Sequence, residues 1–278
     1  MHVAPELHRT LQRLHQQPGD RVDLAELMLR LSLYAHPELD VAAQLARIDA
    51  IAEGLRGRLI GQRDPLQRAL TLSQYMVEAC GFRGDRETYY DPANSYLHQV
   101  LERRVGVPIS LSALYIAVGQ RAGVALEGVG FPLHFLVRPQ GVPDAFLDPF
   151  DGGRLLTRRD CAALLDAMSG AQLPFDPRFL EPLPTTELIR RVLRNLKHAH
   201  LRRDQLHEAI ACIDLLLALS PSHVDELRDR GLLHMSCNAW RLALDDLQAY
   251  LHLAPEAPDR LRVEASMWFT RQQLLTVN

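Results

Sequence analysis

The sequence predicts an α+β protein: a mainly helical first domain with a small antiparallel sheet, followed by an all-helical repeat domain. Three observations carry this. Apolar residues recur at helical spacing through residues 22–80. The texture then changes to strand-like runs in "VALEGVGF", "LHFLVRP" and "AFLDPF". Two later stretches, "HEAIACIDLLLALSPSHVDEL" and "WRLALDDLQAYLHLAPEAPDR", superpose with a 34-residue offset.

The helices have local punctuation. Leu24, Leu27, Met28 and Leu31 form one stripe; Leu45, Ile48, Ile51, Ala52 and Leu55 form another. Asp64-Pro65 places proline at a first helical position, with Leu66, Ala69, Leu70, Ser73, Met76 and Val77 following on one face, and Cys80-Gly81 ends that helix. After the loop "GFRGDRETYYDPANS" comes a short helix around Ser95–Arg103. Pro108 opens the next helix, Leu111, Leu114, Tyr115 and Val118 give its apolar stripe, and Gly123 stops it. The strand runs form a hairpin across "QGVPD". With Gly141 at its centre, His134 lies opposite Asp148 on one sheet face. Thr157 and Asp160 resemble a capping box at the start of another helix.

Residues 173–184 carry four prolines, and Phe175, Phe179 and Leu180 in this segment call for burial. Beyond it, Pro221 matches Pro255, Ala209 matches Ala243, Leu219 matches Leu253 and Leu193 matches Leu227. A 34-residue helix-turn-helix period is the tetratricopeptide signature. Small Ala209 and Ala243 permit close helix packing, and Leu216 and Tyr250 fill the space between helices; Lys197 stands where the next unit has Gly231. Two units cannot bury their faces alone, so residues 259–275 are expected to cap the array. The domain expectation is 1–172, a Pro-rich linker 173–186, and repeats over 187–278.

Composition narrows the function classes. The chain has 278 residues, 47% hydrophobic and 23% charged, so cores can form. Its 31 basic and 34 acidic residues give a net charge of −3, which favours neither non-specific nucleic-acid binding nor anionic membranes. Arg190, Arg191, Arg194, Lys197, Arg202 and Arg203 are a local exception, read either as a solvated helix face or as a docking strip for an acidic partner. Cys80, Cys161, Cys212 and Cys237 are scattered and show no CxxC pair. No secretory signal or membrane-spanning run is visible in "MHVAPELHRTLQRLHQQPGD" or elsewhere, so a cytoplasmic location with reduced thiols is expected.

A nucleophile–histidine–acid site needs an attacking atom, a base, and a group that fixes the base's tautomer. His134 and Asp148 can supply the last two. The helix tip near Pro108 can supply the first, its amides and dipole favouring negative charge. "NSYLHQVLERRVGVPISLSALYIAVGQRAGV", "GVGFPLHFLVRP" and "FLDPFDGG" resemble the bacterial SirB-type proteins, which join a transglutaminase-like (papain-like) domain to tetratricopeptide repeats. The resemblance implies a Cys–His–Asp triad in which Cys opens a helix and His and Asp follow on adjacent strands. His134 and Asp148 then take the His and Asp places. The Cys place falls near Pro108–Ser110, where there is no cysteine, and Leu133 stands where the motif usually has glycine.

Ser110 is therefore either a replacement nucleophile or a first-turn capping residue; Ser112, further into the helix, is the weaker candidate. His134 has a structural alternative, a half-buried ring bonded to Asp148, and Asp148 before Pro149 has a turn-forming one. Cys80 and Cys161 read as small buried hydrophobes. No cofactor or metal is expected: His134 and Asp148 are two ligands, and His98 has no ligand spacing to join them. "HAH" at 198–200 reads as surface or packing, and "DGG" at 151–153 as a turn.

Three functions compete. The first is a non-catalytic transglutaminase-like protein that binds a protein or peptide, at the old cleft or at the repeats, with Arg190, Arg191, Arg194 and Lys197 favouring an acidic ligand. The second is a hydrolase or acyl transferase using Ser110, His134 and Asp148. The third is a regulator associated with nucleic acid, against which the overall charge and the absence of a helix-turn-helix signature both argue.

Overall fold

A computed structural model describes residues 3–17, 22–221 and 223–277. Residues 1–2 and 18–20 of the segment read for a secretory signal, and Ser222 of the repeat, lie outside the described residues. Two compact units emerge: one of Pro18–Val192, the other of His2–Gln17 with Leu193–Asn278. The first helix, α1 (Val3–Gln16), thus belongs with the C-terminal helices rather than with the first domain, where the sequence boundaries had put it.

The first unit begins with α2 (Leu24–Ser32), α3 (Val41–Arg56) and α4 (Pro65–Gln74). An aspartate caps each one: Asp23 accepts from the Ala25 and Glu26 amides, Asp40 from Ala43, and Asp64 from Gln67. Helix α4 runs on through a π-helical turn (Tyr75–Ala79) to Cys80 and Gly81, whose positive φ of 76° ends it as expected. Two short strands missed by the sequence reading, β1 (Arg83–Gly84) and β2 (Val105–Gly106), pair in parallel around α5 (Leu97–Arg103). Helix α6 (Pro108–Ala122) follows, buried along almost its whole length and packed against α2, α3 and α5 on one side and the main sheet on another. Gly123, at φ 79°, stops it.

The main sheet is an antiparallel meander of β3 (Leu126–Val129), β4 (Leu136–Pro139), β5 (Phe146–Asp148) and β6 (Arg154–Leu156). Strand β6 follows the turn expected at 151–153 and was not itself expected. Val137 pairs with Leu147, so the hairpin turns about Val142 rather than Gly141. Asp148 is consequently not directly across from His134. The shift spans two residues of the partner strand, and side chains alternate with a period of two, so both still share a face. Helix α7 (Arg158–Ser169) starts at the expected Thr157–Asp160 capping box. Its Cys161 and Leu165 join Val129, Phe131, Leu136, Phe146, Leu156 and Leu180 in one core cluster. Each fully buried Leu or Phe here contributes about 1.5–3 kcal/mol of apolar transfer. The Pro-rich segment is held down as its apolar residues required: Leu180 is buried, Phe175 and Phe179 pack on the cluster, and the Leu183 amide donates to Gly128 O at 2.7 Å.

The remaining helices are α8 (Thr185–Leu201), α9 (Leu206–Leu219), α10 (Val224–Ser236), α11 (Trp240–Leu253) and α12 (Arg260–Val277). Ala209 and Ala243 are fully buried, and Leu216 and Tyr250 fill equivalent places in the array. Helix α12 caps α11, its Val263 and Met267 reaching the core of Ile213, Leu227, Leu247 and Tyr250. At the other end, α1 packs on α9 with Leu7, Leu11 and Leu14 buried. Among the described residues, no helix is long and apolar enough to cross a membrane.

Candidate functional site

His134 lies in a tight turn ahead of β4. Its amide donates to Phe131 O at 3.2 Å, which closes a four-residue turn with Pro132 and Leu133 in the middle. Leu133, in the third position, has a positive φ of 60°, as a type II turn with proline second requires. Glycine would sit there without strain, which accounts physically for the motif's usual residue. Arg191 of α8 holds this turn from outside: its Nη2 donates to Phe131 O at 3.1 Å and His134 O at 2.8 Å, and its guanidinium lies over the Phe135 ring.

Nε2 of His134 donates to Oδ2 of Asp148 at 2.9 Å, and both residues are buried. The other carboxylate oxygen, Oδ1, accepts from the Phe150 and Asp151 amides, each at 3.1 Å. Asp148 thus orients the ring and forms the turn after β5, so both roles weighed for it coexist. An ionised carboxylate only accepts hydrogen bonds, so the ring proton sits on Nε2 and Nδ1 remains as the basic nitrogen.

The pair opens onto a cavity of about 920 Å³. Pro108, at the tip of α6, lines it; Ser110 does not. Two residues along a helix is about 200° of rotation, so Ser110 points away from the face that carries Pro108. Its hydroxyl is fully buried, donates to Asn94 O at 2.6 Å and accepts from the Val107 amide at 3.1 Å. That is capping chemistry, and the arrangement does not bring Ser110 to His134. Ser112 and Tyr115 do follow Pro108 on one helical face, both fully buried; burial, with the Asp148 charge adding to it, keeps the Tyr115 phenol neutral. Proline offers neither an attacking atom nor an N–H donor.

The cysteines take other places. Cys161, on α7, is buried in the core, where burial pushes its thiol up to about 12. Burial also raises Cys80, and pushes Cys212 up to about 12. His98 sits on α5 against His36, with ring centroids 4.6 Å apart. Among the described residues no group of three or more metal-ligating side chains forms. His200 of "HAH" is buried and bonds Gln205 at 2.8 Å.

The basic strip is also corrected by the structure. Arg190 pairs with Glu187, and Arg191 clamps the His134 turn. Arg194 bonds His223 at 2.9 Å, and Lys197 is buried between Glu226 at 2.8 Å and Asp229 at 3.1 Å. These four cations already have partners within the chain, so they do not form an open strip for an acidic ligand.

The sequence reading missed the cavity's aromatic wall. Phe150 meets His134 edge-on at 5.9 Å and Tyr89 at 6.0 Å; Tyr89 meets Tyr90 edge-on at 5.2 Å, and Arg86 lies over Phe150. The tandem "YY" within a polar loop was the available signal, since aromatics in such loops serve as contact residues. Leu133 is 55% exposed and Tyr90 54% exposed at this cavity.

A buried His–Asp pair on a meander, facing the tip of a core helix and followed by paired helices in a 34-residue register, defines a transglutaminase-like domain joined to tetratricopeptide repeats. Comparison agrees: residues 42–194 match the transglutaminase-like superfamily, and residues 196–267 match the tetratricopeptide repeat. Within that class the chain belongs to the UPF0162 family. It is 36% identical over 242 residues to a UPF0162 protein of Xylella fastidiosa, covering 85% of each chain. It is 30% identical over 241 residues to one of Vibrio cholerae, covering 86% of this chain and 89% of that one. It also aligns with human F-box only protein 21 at 31% identity, covering 81% of this chain and 40% of that protein. No solved structure matches.

Proposed function

We propose that this chain is a non-catalytic, SirB-type member of its superfamily that binds a protein or peptide segment in the α6–sheet cleft. The repeat domain supplies a second binding surface. The observation that carries the reading is the occupant of the helix tip: Pro108 faces the cavity beside His134 and Asp148, while Ser110 is turned into a backbone cap. The wall of Tyr89, Tyr90 and Phe150, with exposed Leu133, Leu155 and Met168, suits an apolar or aromatic side chain presented by a peptide. The four free cysteines fit a reducing cytoplasm.

Two measurements test this. A serine-directed acylating probe should label the wild type no more than Ser110→Ala, and strong labelling confined to Ser110 would restore an enzyme. The complementary variant is Pro108→Cys. A thiol at that tip, beside the His134 base, should alkylate about tenfold or more faster than an exposed thiol at neutral pH. Adding His134→Ala should remove the excess. A thiol of ordinary reactivity there would mean that the cleft does not retain the superfamily's geometry.

A further inference from the structure

Helix α12 carries two apolar stripes where a cap needs one. Val263, Met267 and Thr270 are buried against α11 and the repeat core. On another face, Leu261, Ala265, Trp268, Gln272 and Leu275 follow one another at intervals of four, three, four and three residues. The large members stand in solvent: Leu261 is 81% exposed, Trp268 62% and Leu275 74%. The end of a helical repeat array normally shows water a polar face, because nothing further packs on it. This face instead has the alternating three–four spacing of a coiled-coil seam.

The flanking residues indicate what covers it. With Ala265 and Trp268 as successive core positions of a heptad, Glu264 and Arg271 fall at one kind of flank, and Arg262 and Phe269 at the other. In an antiparallel pair of such helices, flanks of the same kind face each other. Two copies of α12 laid antiparallel bring Glu264 opposite Arg271 of the second copy, and Arg262 opposite Phe269 of the second copy. In the core, the small Ala265 meets the large Trp268. Two-fold symmetry makes each of these contacts twice. Glu264 also pairs with Arg260 of its own helix at 2.9 Å, so the Arg271 contact adds to that pair; a parallel arrangement sets Glu264 beside Phe269 and Arg271 beside Thr276, and brings no opposite charges together across the seam.

We propose that the α12 seam is the interface of an antiparallel, two-fold homodimer of this chain. The seam is short, about two heptads, which puts the buried area at the small end for specific association. The dimer therefore dissociates on dilution. This proposal is independent of what the cleft binds.

The test is sedimentation of the full chain over a concentration series from about 1 to about 300 μM, the range in which small interfaces come apart. Wild type is expected to pass from monomer to dimer. Trp268→Glu should weaken dimerisation by about a hundredfold, since a central aromatic anchor is lost. Glu264→Arg or Arg271→Glu alone should each weaken it about tenfold by setting like charges face to face. The two reversals together should return it to within about threefold of wild type, because the pair is restored with its sign exchanged. Circular dichroism confirms that each variant folds; the charge reversals are at exposed or half-exposed positions and leave the α11-facing stripe intact. A wild type that stays monomeric throughout overturns the proposal. So does a dimer indifferent to these substitutions. A double reversal that fails to recover overturns the antiparallel register.

Discussion

At the scale of single residues, the site is legible in part. His134 and Asp148 stand out in the sequence because their motifs resemble a known family, and the two side chains do meet. Leu133 was visible as a departure from that motif, but its meaning needed a torsion angle. A left-handed leucine carries about 1–2 kcal/mol of strain. Leu133→Gly removes this strain but adds freedom to the unfolded chain, worth about 0.4–1 kcal/mol against folding. The net expectation is a stabilisation of up to about 1 kcal/mol in urea titrations, together with weaker peptide binding because an exposed apolar contact leaves the cleft. A large loss of stability would mean that the leucine side chain carries packing the turn depends on. Asp148→Ala should act in the opposite direction. It strips acceptors from the His134 ring and from two amides, for a cost of about 2–3 kcal/mol. Arg191 was not legible in this role: its acceptors are backbone carbonyls 60 and 57 residues away, and no local pattern encodes them.

At the scale of elements, what local chemistry specifies could be read and what distant pairing specifies could not. Proline at the starts of α4 and α6, glycine at the end of α6 and the Thr157–Asp160 box each act within a turn or two, and all are found as expected. The parallel β1–β2 pair and the placement of α1 depend on partners far along the chain, so periodicity alone does not reveal them; β6 pairs locally with β5, but at three residues it is too short for an alternating pattern to show. The repeat illustrates both cases. Its period fixes the paired helices, yet the exchange of Gly231 for Lys197 reads as a mere imperfection until its partners are seen. Gly231 is needed because a Cβ there would come within 2.8 Å of Leu247. In the earlier unit, Lys197 instead reaches from α8 to Glu226 and Asp229 of α10, nearly out of water. Removing Lys197 leaves the buried Glu226 with only the longer bond from Arg194 Nε at 3.4 Å, so Lys197→Ala should destabilise by up to about 3 kcal/mol. Denaturant titration in which Lys197→Ala unfolds like the wild type would show that Arg194 alone satisfies the Glu226 carboxylate.

At the scale of the whole molecule, histidines partly removed from water make stability depend on pH in one direction. Burial lowers His98 to about 4, with the nearby His36 adding to it, and burial also lowers His198 and His234. In the unfolded chain these imidazoles titrate near 6.5. Above that value both states are neutral and no penalty exists. As pH falls from about 6.5 towards 4, the unfolded chain takes up protons that the folded chain resists, so stability declines; below both values the penalty no longer grows. Carboxylates then add a second decline from a different cause. Asp85 and Asp259 are held below the usual range, mainly by hydrogen bonds from Thr88 and Tyr250 acting against burial, and the stability they confer is lost only as pH falls through their own, lower titration range. The two windows can therefore be separated. His98 is half-buried, and water screens part of its effect, so its share is on the order of 1 kcal/mol rather than the full value of the shift. Urea midpoints should be flat from about pH 7 to 8 and fall between about 6.5 and 4.5. His98→Gln keeps a polar side chain of similar reach without the titration. It should remove part of that fall and leave the decline below pH 4 unchanged. Midpoints that stay level down to pH 4.5, or a decline identical in the variant, would show that the His98 ring is protonated in the folded protein as readily as in the unfolded chain.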